Sequence, residues 1–301
     1  MRAAPAIFAA ALALGLAGCG LGAGKGASDV QELVTRDFGQ TVVGSTTVKK
    51  TKGSETVIRL LERGHRVTTR FGGGFVQSID GVAGASGRRL DWFYYVNGIE
   101  AGRGAAATRV HPGDRIWWDR HDWAAAMRVP AVVGSFPEPF VHGTGGKRVP
   151  VRIECTQSAE KACDTVTARL AKVGVPVGRA ALGSEVGADT LRILVGTFSG
   201  LGTDLALRQI RQGPASSGVY AKPAGGELRL LDGGGHVGRT LGAGAGLVAA
   251  TRVQDQLPTW VISGVDTAGV NAAASAVTSS DLAHRFALAV DGKQRIAVPA
   301  G

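Results

Sequence analysis

Cysteine is scarce in this chain. The 301 residues include only three cysteines, too few for the disulfide framework of a small secreted domain. They do not show the paired Cys-x-x-Cys spacing of a structural zinc site. The Gly-x-Ser-x-Gly elbow of hydrolases, the His-Glu-x-x-His of zinc proteases and the phosphate-binding P-loop are also missing. We therefore predict no catalytic residue, no metal site and no cofactor.

Acidic residues are fewer than basic residues in this chain. Lys and Arg total 34 against 24 Asp and Glu, which gives a formal net charge of +10. Such an excess suits anionic partners such as phosphates, lipid headgroups or wall polymers, and we expect no nucleic-acid partner. Beyond Lys25 no uncharged apolar run approaches the roughly 18 residues that a membrane span needs. The hydrophobic fraction of 44% is nevertheless sufficient for the packed cores of about two domains.

The amino terminus has the pattern of an export signal. One arginine precedes an uncharged apolar run over residues 3–17, which is the length of a signal-peptide core rather than of a membrane span. The sequence then reads Leu-Ala-Gly-Cys and resembles the lipobox of bacterial lipoproteins, which implies that Cys19 carries a lipid. A cleavable signal that happens to contain cysteine, or a buried core helix, is the alternative. We predict a signal peptide over residues 1–18 and a flexible tether over 19–28, with the protein on the outer face of the cytoplasmic membrane.

Residues 29–127 are predicted to form a β-grasp-like domain. The β-branched segment 41–48 favours a strand, and Val57, Leu60 and Leu61 have the spacing of one helix face. Asn97-Gly98 is typical of a tight hairpin because both residues tolerate positive φ. One early helix crossing a small, mostly antiparallel sheet is the β-grasp arrangement.

Three ordered motifs in this region carry a family resemblance. They read FVQSIDG at residues 75–81, WFYYVNG at 92–98 and PGDRIWW at 112–118. This series is similar to the transcobalamin-like C-terminal domain family. In vertebrate cobalamin carriers the equivalent domain closes over one face of the corrinoid, so the resemblance implies a role in ligand handling, as in bacterial surface lipoproteins beside vitamin-transport systems.

The remaining chain divides into a linker and a second domain. Prolines and glycines interrupt any periodic element over residues 128–148, which indicates an interdomain linker. Strand and helix patterns alternate over 149–301, which predicts an α/β domain with a parallel or mixed sheet. Within it we expect helices over residues 238–253 and 268–285.

The predicted ligand site lies in a cleft between the two domains. Strand alternation places Trp92 and Tyr94 on one face and Phe93 and Tyr95 on the other, so one set fills the core and the second is left for a ligand. The residues that we predict to bind the ligand are Trp92, Tyr94, Trp117, Ser263, Asp266 and Thr267. Core packing and tight turns explain the same residues without any ligand.

Two smaller patterns concern cysteine and metal chemistry. Cys155 and Cys163 are eight residues apart and are predicted to form a disulfide, which an extracytoplasmic location allows. Two buried thiols are the alternative.

The segment 119–122, Asp-Arg-His-Asp, resembles a metal site in composition, but we interpret it as the solvated end of a strand.

These observations predict a lipid-anchored binding protein that captures or presents a small ligand, such as a cobalamin-like compound or another vitamin, to a membrane transporter. The alternative is a structural or wall-polymer-binding lipoprotein without a small-molecule ligand. A hydrolase of envelope glycans is a third hypothesis.

Overall fold

The computed structural model describes residues 29–51, 53–71, 74–185 and 187–301. The predicted signal peptide, Cys19 and the tether lie outside these residues. Among the described residues, no helix combines the length and the apolar character that a membrane crossing requires.

The N-terminal region, residues 29–127, is built around a five-stranded sheet in the order β2-β1-β8-β6-β7. A smaller antiparallel sheet, β3-β4-β5, lies beside it. The elements of this region are β1 (Val30–Arg36), β2 (Thr41–Val48), α1 (Val57–Gly64), β3 (Val67–Arg70), β4 (Phe75–Ile79), β5 (Val82–Ala83), β6 (Leu90–Val96), β7 (Ile99–Glu100) and β8 (Arg115–Asp122).

This arrangement is the predicted β-grasp topology. The β1–β2 hairpin is antiparallel, while β1 pairs in parallel with β8, the last strand of the region. Helix α1 connects the first hairpin to the later strands and packs its buried residues Val57, Leu60 and Leu61 on the sheet. The strand β1 was absent from the sequence prediction, although its alternating buried and exposed positions carry the signal.

The C-terminal region, residues 149–301, contains a seven-stranded mixed sheet in the order β10-β9-β11-β16-β15-β17-β18. A three-stranded antiparallel sheet, β12-β13-β14, accompanies it. The elements are β9 (Val151–Cys155), α2 (Glu160–Lys172), β10 (Gly178–Ala180), β11 (Leu191–Thr197), α3 (Leu205–Gln212), α4 (Pro214–Ser217), β12 (Ala221–Ala224), β13 (Glu227–Leu231), β14 (Val237–Leu241), β15 (Gly246–Thr251), β16 (Thr259–Gly264), α5 (Thr267–Ser275), α6 (Ser279–Leu282), β17 (Ala287–Asp291) and β18 (Gln294–Val298).

Both faces of the seven-stranded sheet are covered, as its parallel strands require. Helices α2 and α5 pack on one face, around Trp260 and Ile193. Helix α3 and the three-stranded sheet pack on the other face, around Leu194 and Val261. The predicted fold class, a β-rich domain followed by an α/β domain with a mixed sheet, is confirmed.

Two predicted helices are wrong in detail. Residues 238–253 form most of β14 and the whole of β15, and every residue of β15 is buried. A strand that is covered on both faces shows no alternation, so its Ala-Leu-Val composition was mistaken for a helix. The helix predicted over 268–285 ends at Ser275, and a separate short helix begins where the Thr278 side chain accepts a hydrogen bond from Asp281 N–H.

The segment predicted as a linker, residues 128–148, is packed against both regions. Val132 N–H donates to Gly98 O of the N-terminal region at 2.9 Å, and Val133 N–H donates to Phe286 O of the C-terminal region at 3.1 Å. Phe136 and Phe140 are buried against Trp260. We refer to residues 128–148 as the joining segment; the domain boundaries themselves stay a prediction.

The two regions share one apolar core. Phe38, Tyr95 and Trp117 from the N-terminal region belong to the same cluster as the residues of α3 and the inner face of the seven-stranded sheet. Phe38 projects from the β1–β2 turn, and its ring lies 5.0 Å from Tyr220 and 5.3 Å from Phe286. The turn therefore inserts into the C-terminal region.

Asp119 holds this turn in a left-handed conformation. Asp37, Phe38 and Gly39 have φ values of 59°, 58° and 82°, which are unfavourable for a bulky residue such as phenylalanine. The fully buried Asp119 carboxylate accepts hydrogen bonds from Phe38 N–H at 3.1 Å and Gly39 N–H at 2.8 Å. It also accepts from the Thr35 hydroxyl. Hydrogen bonds to a buried charged acceptor are among the stronger ones in proteins, so they offset the cost of the turn.

The turn gives the first testable prediction. In Asp119→Asn one acceptor oxygen becomes an NH₂ group that faces backbone donors, and the charge that strengthens the bonds is lost. We expect the free energy of unfolding to fall by about 2–4 kcal/mol in denaturant titrations followed by tryptophan fluorescence. Asp255→Asn, at an exposed position, is the matched control and should change stability little. Equal stability of the two variants would contradict the assigned role of Asp119.

Candidate functional site

The first two predicted ligand residues belong to the core under α1. Trp92 and Tyr94 are 6% and 8% exposed and pack with Leu60, Leu61 and Trp118. The Trp92 indole donates to Val82 O at 3.1 Å, and the Tyr94 hydroxyl donates to Arg103 O at 2.5 Å. Their rings therefore present no open surface to a ligand, because helix α1 covers this face of the sheet.

The opposite aromatic face is also covered. Tyr95 and Trp117 are almost fully buried, and the Phe286 ring of the C-terminal region lies 5.7 Å and 5.2 Å from them. One aromatic face was expected to remain for a ligand, with Trp92, Tyr94 and Trp117 as the predicted contacts, whereas both faces are buried in the structure. Trp117 is the one predicted aromatic ligand residue that also lines a cavity between the regions.

The 263–267 loop lies elsewhere. Ser263 is fully buried, and its hydroxyl donates to Gly196 O at 2.7 Å. The Asp266 carboxylate caps α5 by accepting from Gly269 N–H and Gly244 N–H, both at 2.8 Å, and these bonds lower its pKa. Thr267 is the exposed first residue of α5. None of the three borders the cavity that Trp117 lines, so the predicted cleft does not form from these residues.

The Asp119–His121 pair is structural. The Nδ1 atom of His121 lies 2.9 Å from Asp119 Oδ1, and its ring stacks between Phe38 and Phe93 at 4.7 Å and 4.5 Å. Both residues are buried, contrary to the expectation of a solvated strand end. Within residues 29–51, 53–71, 74–185 and 187–301, no group of three or more His, Cys, Asp or Glu side chains could hold a metal ion.

The Cys155 and Cys163 side chains form a disulfide, with the Cα atoms 6.2 Å apart. This bond fastens the end of β9 to the first turns of α2. It lies in the C-terminal region, and it contributes no group to the cavity between the regions.

A cavity of about 290 Å³ does lie between the two regions. We call it the junction cavity. One wall comes from β1, β2 and β8, including Trp117. The other walls come from residues 134–136 of the joining segment and from Ser279, Ala283 and His284. Both regions are therefore needed to build it.

Arg115 supplies the positive charge of the junction cavity. Its Nη1 atom donates to Phe136 O at 2.7 Å and to Ser135 O at 3.2 Å, which fixes the guanidinium against the joining segment. In the part of the chain that the structure describes, no carboxylate forms an ion pair with it. Burial lowers the pKa of Arg115, while the nearby Glu138 carboxylate raises it. A half-buried cation without a direct counter-ion favours an anionic group on a ligand.

The rest of the cavity wall is polar on one side and apolar on the other. Ser45 and Thr47 are exposed on β2, and Ser279 faces them from α6. Trp117 and Phe136 provide apolar area. This division suits a small ligand that has hydroxyl groups and an apolar portion.

His284 lines both the junction cavity and a second, larger groove. The second groove has a volume of about 810 Å³ and shares Ala283 and His284 with the junction cavity. Partial burial and the neighbouring Arg285 guanidinium lower the pKa of His284. Its imidazole is therefore neutral at pH 7 and can both donate and accept a hydrogen bond.

The turn residues of the sequence motifs fasten the N-terminal region to the joining segment. Buried Asn97 donates from Nδ2 to Asp114 Oδ1 at 2.8 Å and to Gly143 O at 3.0 Å. A Cβ atom on Gly98 would lie 2.8 Å from Val132 O, which leaves room only for glycine there. These motif residues are thus required by packing. The sequence could not place Arg115 in this cavity, because its partners Ser135 and Phe136 lie in a segment that was interpreted as a linker.

With this geometry established, the chain can be compared with known proteins. Residues 54–122 match the family described as a domain of unknown function, DUF4430. The match covers α1 to β8, less than a quarter of the chain, and it excludes the β1–β2 hairpin.

A solved structure from Ruminococcus gnavus ATCC 29149, provisionally described as a metal binding protein, is 14% identical in sequence. The alignment covers 32% of this chain and 97% of that one, with a TM-score of 0.26. No curated protein matches the chain.

A buried carboxyl group borders the DUF4430 region. Glu32 on β1 is 2% exposed, and neither carboxyl oxygen has a hydrogen-bond partner among the described residues. Its neighbours at alternate positions, Val30 and Val34, belong to the core under α1, and Glu32 also lines the junction cavity. Burial raises the pKa of Glu32 from 4.5 to about 8.

The raised pKa of Glu32 predicts a pH-dependent stability. Between pH 4.5 and about 8 the unfolded chain loses this proton while the folded protein keeps it, so stability falls as the pH rises through that range. In Glu32→Gln this fall should shrink by an amount on the order of a few kcal/mol. Urea unfolding at pH 5 and pH 8 measures it. The control is Glu62→Gln at an exposed position of α1; identical pH slopes for wild type and Glu32→Gln would refute the argument.

Proposed function

We propose that this protein is a lipid-anchored extracytoplasmic binding protein that captures a small anionic ligand in the junction cavity and presents it to a membrane transporter. The observation that carries the proposal is the Arg115 guanidinium, which the joining segment holds at the cavity wall without a carboxylate partner among the described residues. The lipobox-like residues 16–19 support the anchor. The DUF4430 match, a family associated with transcobalamin-like domains, supports ligand binding.

The size of the cavity favours a ligand smaller than a corrinoid. About 290 Å³ is at the lower limit of the roughly 300–1,000 Å³ that small-molecule pockets span. The lining hydroxyls and Arg115 favour a hydroxylated carboxylic acid of vitamin size. Cyanocobalamin is the comparison that the transcobalamin resemblance suggests.

Ligand binding can be tested by thermal unfolding with a panel of lactate, gluconate, pantothenate, thiamine and cyanocobalamin. At a hundred times its Kd, a bound acid stabilises the folded state by about 2.7 kcal/mol, which raises Tm by several degrees. We expect at least one of the acids to do so and the cationic thiamine not to. No shift from any acid would overturn the proposed site.

A blocking variant locates the binding. Ser279→Trp places a large side chain at the exposed rim of the junction cavity and should abolish the ligand shift without lowering the Tm of the free protein. Thr69→Trp on β3, at an exposed strand position away from the cavity, is the matched control. A ligand shift that survives Ser279→Trp would place the ligand elsewhere. A shift that disappears at high salt would favour the polyanion-binding alternative instead.

The lipid anchor has its own test. Native protein should enter the detergent phase of a Triton X-114 partition, and its N-terminal peptide should carry acyl groups on Cys19 in mass spectrometry. Cys19→Ser should move the protein to the aqueous phase, because the anchoring free energy of about 0.8 kcal/mol for each buried CH₂ is lost. An unmodified Cys19 in the native protein would contradict this part of the proposal and leave the cavity test unaffected.

A further inference from the structure

A third cavity is lined by several arginine side chains. This groove has a volume of about 660 Å³, and its lining includes Val96 at the end of β6 and both residues of β7. Arg103 and Arg109 from the loop after β7 line it, together with Arg252 from the end of β15. We call it the arginine groove.

The guanidinium groups of the arginine groove are not neutralised by carboxylates. Across the described residues, Arg103, Arg109 and Arg252 take part in no ion pair. Arg252 Nε donates to Gln256 O at 3.0 Å. The groove has one acidic lining residue, Glu100, and Arg128 binds that carboxylate at 3.1 Å. The groove therefore combines three arginines with one carboxylate, Glu100, which is paired with Arg128. Burial raises the pKa of that carboxyl, while Arg128 and also Arg252 act to lower it.

The loop that bears two of these arginines is fixed by the rest of the structure. The Tyr94 hydroxyl donates to Arg103 O and lies 2.7 Å from Thr108 Oγ1. The backbone of α1 adds hydrogen bonds from Val57 N–H to Thr108 O at 3.0 Å and from Ile58 N–H to Ala105 O at 3.2 Å. These contacts use backbone and core groups of the loop, so the guanidinium groups are left for a ligand.

We propose that the arginine groove binds a ligand carrying two or more adjacent phosphate groups. Guanidinium forks pair with phosphate oxygens through two parallel hydrogen bonds, and a multivalent anion can satisfy several arginines at once. Thr144 also lines the groove, and its exposed hydroxyl can donate to a phosphate oxygen. The site is separate from the junction cavity, since the two share no lining residue.

Isothermal titration of the full chain with inorganic pyrophosphate tests the proposal, with orthophosphate and citrate as comparison anions. We expect pyrophosphate to bind more tightly than either. The double variant Arg103→Ala/Arg109→Ala should weaken pyrophosphate binding at least about tenfold, since it removes two charge-assisted contacts. It should keep the wild-type Tm, because Tyr94 contacts the Arg103 carbonyl and not its side chain.

The matched control is Arg88→Ala/Arg208→Ala, which removes the same charge from two exposed arginines outside the groove. Equal weakening in both double variants would show that only net charge matters and would overturn the proposed site. Absence of pyrophosphate binding to wild type, or equal affinity for citrate, would also overturn it. Each of these outcomes is independent of the acid-binding test of the junction cavity.

Discussion

The buried Asp119 carboxylate is the constraint on which the assembly of the two regions depends. It stabilises three consecutive left-handed residues at the β1–β2 turn, and that turn places Phe38 among Tyr220, Phe286 and His121. Phe38 and Phe286 together pack on the aromatic face of β6 and β8. The turn thereby contributes Phe38 to the core that the two regions share.

The sequence predicted much of the fold because its signals are local. The hairpin at Asn97, the strand over residues 41–48 and the helix face of Val57 and Leu60 each need only neighbouring residues, and the structure has all three. The candidate site depended on distant residues. Alternation correctly separated Tyr94 from Tyr95, but it could not show that Phe286, almost two hundred residues away in the chain, covers the second face. Burial of β15 on both faces likewise removed the alternation that would have marked it as a strand.

The functional hypotheses now rest on charge more than on aromatic surface. The rings that suggested a ligand platform are core residues, whereas Arg115 and the arginine groove present guanidinium groups without direct counter-ions in the described structure. A strongly basic composition could have produced only a diffuse positive surface. Instead, hydrogen bonds hold the Arg115 guanidinium against the joining segment, and the Tyr94 hydroxyl fixes the backbone of Arg103.

The joining segment has a consequence for how any ligand enters. Val132 and Val133 bond to opposite regions within two consecutive residues, and Phe136 and Phe140 are locked beside Trp260. A clamshell motion, in which two lobes swing apart about a hinge, would have to break these bonds and expose the common aromatic core. The exposed residues Ser45, Thr47 and Ser279 border the junction cavity, so a ligand can enter it without such a motion. The protein would then behave as a rigid receptor whose binding site is formed before the ligand arrives.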